Sequence, residues 1–162
     1  MGRRVGRTAP RDRSAGGAGA VGEEEEGLVT KKRITVDTKT LQRADVELLL
    51  RQHDITYDLA GTEPSATPVE RFDDQSPYQL QLPDLVTEAE RAFLSKFTAG
   101  QHRSARYLYA HGRESRDVFV TADVACFGEP GSKRRREVSM SAATAIMSLE
   151  EFKRWCIEQR AN

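Results

Sequence analysis

The feature that most constrains this chain is an alternation that begins at Arg33. Short apolar, β-branched runs are separated by stretches whose apolar residues recur with the helical period. Arg33-Ile34-Thr35-Val36-Asp37 reads as a first strand and Ile55 to Ala60, closed by Gly61, as a second. Asp117-Val118-Phe119-Val120-Thr121 is a compact buried-strand signal, and Thr144-Ala145-Ile146-Met147 reads as the last strand. Between them Ala44 to His53 carries Val46, Leu49 and Leu50 at i, i+3 and i+4, the spacing of a helix laid on a sheet. Thr87-Glu88-Ala89-Glu90 has the form of a capping box and opens a helix through Lys96, and Gln101 to His111 reads as the next helix. A short helix or turn is expected after Lys133-Arg134-Arg135-Arg136. Ser148-Leu149-Glu150-Glu151 opens a terminal helix that packs through Leu149, Phe152, Trp155 and Cys156. Strands separated by helices imply an α/β domain of three layers, with a central, mainly parallel sheet of about four strands flanked by helices.

Composition sets the boundaries of that domain. The 162 residues hold 25 basic and 25 acidic side chains, and this neutrality argues against indiscriminate, charge-driven binding to nucleic acid or to an anionic membrane. The charge is uneven, however. Residues 1–32 carry seven basic and five acidic side chains among many glycines and almost no large apolar group, so they read as a disordered tail. That leaves 18 basic and 20 acidic residues in 33–162, the expected single domain. No apolar run approaches the roughly 20 residues a membrane helix needs. Cys126 and Cys156 suit neither a disulfide framework nor a zinc site, and a reducing cytoplasm is the expected location.

From Thr62 to Pro83 the chain is polar and interrupted by Pro64, Pro68, Pro77 and Pro83, so long regular elements are not expected there. One short helix is expected at Thr67-Pro68-Val69-Glu70, where a capping residue precedes proline and glutamate follows.

Two of the strands end in or just before an aspartate, Asp37 and Asp123. In open parallel sheets the functional crevice lies beyond the carboxyl ends of the strands, so neighbouring strands would bring these carboxylates to one rim. Clustered carboxylates repel, and a hard divalent cation relieves that repulsion; the bland reading is that each acid caps the turn that follows it.

Ile34-Thr35-Val36-Asp37-Thr38 resembles the opening strand of the PIN-domain family. Asp117 to Asp123 resembles the family's late strand with its terminal acid, and Ala145 to Phe152 its closing strand and helix. Together these blocks extend the resemblance over residues 33–162. The resemblance implies a metal-dependent ribonuclease fold, with Mg²⁺ or Mn²⁺ held by Asp37 as first ligand, Asp123 as last, and an acid after the second strand between them. Glu70 is the preferred candidate for that second acid and Glu63 the alternative. Thr38, Lys39, Thr121, Lys133 and Arg134 would contact substrate, Lys133 and Arg134 through phosphate oxygens. The family's third acid falls at Ser104, a degenerate acid position, and its usual asparagine at Lys39.

The expected function is therefore a metal-dependent endoribonuclease acting on single-stranded RNA, with an antitoxin protein as partner if the chain is the toxin of a pair; a homodimer is compatible with either role. The alternative, motivated by Ser104 and Lys39, is a non-catalytic PIN-like module that binds RNA or protein. A phosphoacceptor receiver domain fits poorly, since it needs paired acids after the first strand and a lysine after the last, where this chain has Thr38 and Ser148.

Overall fold

The computed structural model describes residues 30–62 and 78–161. From Lys31 onward the chain forms one compact unit. Its centre is a five-stranded sheet in the order β3-β2-β1-β4-β5, with every pair parallel. The strands are β1 (Lys32–Val36), β2 (Tyr57–Gly61), β3 (Tyr78–Gln79), β4 (Val118–Val120) and β5 (Ala145–Met147). Four of them match the apolar runs. The two-residue β3 lies in the proline-rich stretch and has no periodic signal of its own, because pairing with Ala60 and Gly61 rather than apolar alternation defines it.

The helices are α1 (Arg43–Gln52), α2 (Glu88–Leu94), α3 (His102–Arg113), α4 (Val124–Phe127), α5 (Lys133–Ala142) and α6 (Leu149–Ala161). Side chains of successive strand residues point to opposite faces, and the sheet separates two apolar layers accordingly. On one face Ile34, Val36, Leu59, Val118 and Val120 pack against Val46 and Leu50 of α1 and Phe152 and Cys156 of α6. On the other, Phe119 and Ile146 pack against Phe93, Leu108, Phe127 and Val138 from α2 to α5. The result is the expected three-layer α/β domain. Both cysteines are free and buried in these layers.

Local chemistry explains the helix boundaries. At Ser148 both halves of the capping box form: Glu151 N–H donates to Ser148 Oγ at 3.1 Å and Ser148 N–H to Glu151 Oε1 at 2.9 Å. At Thr87 only the first half forms, Glu90 N–H to Thr87 Oγ1 at 3.1 Å, because the Glu90 carboxylate turns inward to Arg106. The basic tract does not precede a helix; it begins one. Ser132 caps α5 by accepting from Arg135 N–H, and Lys133 to Arg136 occupy the first turns of ten helical residues. Arg135 is buried, donating to the carbonyls of Phe127, Gly128 and Ile146 and to Glu151, which pins α5 to the loop before it and to β5.

Residues 1–29, Glu63, Glu70 and the helix expected at 67–70 lie outside the described residues. Among the described residues no helix is long and apolar enough to cross a membrane.

Candidate active site

The strand order places a topological switch point between β1 and β4. From β1 the chain steps outward to β2 and β3, then returns to the other side of β1 for β4 and continues outward to β5. At such a point the connections leave in opposite directions and open a crevice at the carboxyl ends of the two central strands. Asp37 directly follows β1, and its N–H donates to Val120 O at 2.8 Å, continuing the ladder to β4. Asp123 comes three residues after β4. The two aspartates therefore follow adjacent strands at one rim.

Asp37 is 3% exposed, and a buried carboxylate needs partners for its oxygens. Oδ2 accepts from Thr121 Oγ1 at 2.7 Å and Thr40 Oγ1 at 3.1 Å. Oδ1 accepts from Lys39 N–H at 3.2 Å and, more weakly, from Thr62 Oγ1 at 3.5 Å. Two of these hydroxyls also hold the opposite loop. Thr121 Oγ1 accepts from Asp123 N–H at 3.0 Å, and Thr40 Oγ1 from Ala122 N–H at 3.0 Å. Asp37 and the turn carrying Asp123 are thus locked together through shared threonine oxygens. Asp123 itself caps α4, its Oδ1 accepting from Cys126 N–H at 3.1 Å.

The other expected residues occupy different surroundings. Thr38 N–H donates to Thr62 Oγ1 at 3.2 Å, beside the carboxylate. Lys39 reaches Asp37 through its backbone while its side chain is exposed. Ser104 is buried in α3. Lys133 is exposed and lies 4.0 Å from Glu137. The Arg134 guanidinium sits 4.7 Å above the Phe97 ring and donates to Lys96 O at 3.0 Å and Cys126 O at 3.3 Å. The Cys126 thiol is pushed up to about 12, first by burial and then by the charge of Asp123, which disfavours its thiolate.

Thr40 and Thr62 were not foreseen as site residues. A signal for Thr62 exists, since it follows the predicted end of the second strand at Gly61, as Asp37 follows the first. Thr40 gives no such signal, because its contact depends on the turn after β1.

The donor chemistry fits a hard divalent cation. This rim offers carboxylate and hydroxyl oxygens, those of Asp37 and Asp123 among them, with Thr40, Thr62 and Thr121 orienting the Asp37 carboxylate. Among the described residues no group of three or more histidine, cysteine, aspartate or glutamate side chains is assembled. No protein-family model, curated protein or solved structure matches the chain.

Proposed function

We propose that this chain is a PIN-like, metal-assisted phosphodiesterase that acts on single-stranded RNA. The observation that carries the reading is the placement of Asp37 and of the turn carrying Asp123 beyond the ends of the adjacent strands β1 and β4, joined through Thr121 Oγ1. Asp37 and Asp123 would hold Mg²⁺ or Mn²⁺ with an acid from the segment after β2, Glu70 or Glu63. A cation bound there lowers the pKa of water and orients a phosphodiester. The chain's own part is to hold Asp37 in one orientation through its threonine donors and to keep Asp123 in register on the facing turn. Lys39, exposed beside Asp37, supplies positive charge for a phosphate approaching the same rim.

The test is incubation of labelled single-stranded RNA with the purified protein and Mn²⁺. Cleavage is expected, falling by more than about 100-fold in Asp37→Asn and in Asp123→Asn. Cleavage that survives both substitutions contradicts the reading.

A second reading, a module that binds without turnover, is favoured by two observations. Four donors already occupy the Asp37 carboxylate, and the residue at the family's third acid position is Ser104. It predicts RNA binding without cleavage, and a gain of Mg²⁺ affinity in Ser104→Asp.

A further inference from the structure

Two strands from Asp37, a second feature opens at the same rim. The segment that leaves β3 at its carboxyl end runs alongside the first half of α3, and a groove of about 400 Å³ lies between them. Its lining is polar: the amides of Gln79 and Gln81, the guanidinium groups of Arg103 and Arg106, and the Asp84 carboxylate. The groove connects to the aspartate through the ends of the strands. Leu80 N–H donates to Gly61 O at 3.0 Å, and the next residue after Gly61, Thr62, reaches Asp37 Oδ1. At the usual separation of neighbouring strands, two strands place the groove about 10 Å from the carboxylate.

The two arginines are held differently. Arg106 is fixed from behind: its Nε donates to Glu90 Oε2 at 2.8 Å and its Nη2 to Pro83 O at 2.7 Å, so the guanidinium ties both walls of the groove together. Glu90 is 1% exposed, and its other oxygen, Oε1, has no hydrogen-bond partner among the described residues. Burying a carboxylate with one oxygen unpaired costs stability, so Glu90 makes sense as the group that sets Arg106 rather than as a stabilising ion pair. Arg103 lies one helical turn earlier and is exposed. Its guanidinium stands over the Tyr107 ring at 5.6 Å from the centroid, and Nη2 donates to the Tyr107 hydroxyl at 3.3 Å.

We propose that this groove binds a nucleotide of single-stranded RNA beside the one at Asp37, an assignment that rests on the RNA reading above. Each component has a counterpart in a nucleotide. An exposed guanidinium held by a tyrosine hydroxyl offers a base a stacking partner, and it also pairs with phosphate oxygens. Glutamine amides offer a donor and an acceptor to the edges of an unpaired base. The polar lining disfavours an apolar ligand.

The experiment measures equilibrium binding of a fluorescein-labelled single-stranded RNA to the full chain by anisotropy, in EDTA so that cleavage does not intervene. Arg103→Gln is the principal variant because its side chain is exposed, and its circular dichroism spectrum is compared with that of the wild type. Arg154→Gln, exposed on α6, is the control. Arg103→Gln is expected to weaken binding about tenfold and to lower the dependence of log affinity on log salt by about one. Arg154→Gln is expected to bind as wild type does. Glu90→Gln, checked for an unchanged circular dichroism spectrum, is expected to weaken binding as well by releasing Arg106. Wild-type affinity in Arg103→Gln, or no RNA binding by the wild-type chain, overturns the proposal. The two claims fail separately: cleavage with unaltered KM in Arg103→Gln removes the groove and leaves the nuclease, whereas groove-dependent binding without cleavage removes the nuclease and leaves the groove.

Discussion

Thr121 Oγ1 donates a 2.7 Å hydrogen bond to Asp37 Oδ2 and accepts from the N–H of Asp123 at 3.0 Å, so one side-chain oxygen links the two aspartates at the centre of the sheet. A hydroxyl bound to a buried carboxylate is worth more than an ordinary hydrogen bond, because its loss leaves charge unpartnered. Thr121→Val keeps the shape and removes the link. It is expected to lower stability by about 2 kcal/mol in urea unfolding, with Thr121→Ser recovering most of the loss.

His111 supplies a pH dependence. Its ring is fully buried, with Nδ1 2.7 Å from Thr35 Oγ1 and Nε2 2.8 Å from Thr144 Oγ1, and it meets Phe119 edge-on. Burial first, and then the charges of Arg116 and Arg33, lower its pKa from 6.5 to about 3. The unfolded chain therefore binds a proton between these values that the folded chain refuses. The stabilisation is complete above about pH 6.5 and is lost progressively as the pH falls toward 3, by roughly 2 kcal/mol at pH 5. Urea midpoints measured from pH 7.5 to pH 4.5 should fall in the wild type and flatten in His111→Gln.

The basic tract divides by burial. Arg135 is 5% exposed and donates to three carbonyls and to Glu151, whereas Arg134 is half-buried over Phe97 and donates to the carbonyls of Lys96 and Cys126. Arg135→Met leaves those acceptors unpartnered and is expected to cost roughly 3 kcal/mol. Arg134→Met is expected to cost below about 1 kcal/mol. Thermal unfolding of the two variants side by side checks the contrast.

That division shows where residue patterns stop being informative. Four adjacent cations look equivalent in a sequence, yet the helix that begins at Lys133 turns each by about 100° from the last, and one of them enters the core. The strands behaved differently: Ile34 and Val36, or Val118 and Val120, carry both the β propensity and the alternation that place them on one face of the sheet, so four strands and their central pair of acids were legible. The short β3 was not, since it exists through pairing with β2 in a stretch dominated by proline and polar residues. The threonine shell of Asp37 was half legible. Thr121 adjoins a strand end, while Thr40 and Thr62 converge on the carboxylate only after the turn and the neighbouring strand are in place. The groove is illegible in the sequence for a related reason, because Arg103 and Arg106 meet Gln79 to Asp84 across a fold that no local spacing encodes.

The central claim is that Asp37 and Asp123 act together on one divalent cation. Calorimetric titration of the full chain with Mn²⁺ addresses it most directly, in the wild type and in Asp37→Asn and Asp123→Asn, with Glu63→Gln and Glu70→Gln to identify the second acid. The account predicts saturable binding by the wild type, weakened at least about tenfold by either aspartate substitution and by one of the two glutamate substitutions. An isotherm that is unchanged when Asp37 and Asp123 are each replaced, or a wild type that takes up no cation, would contradict it.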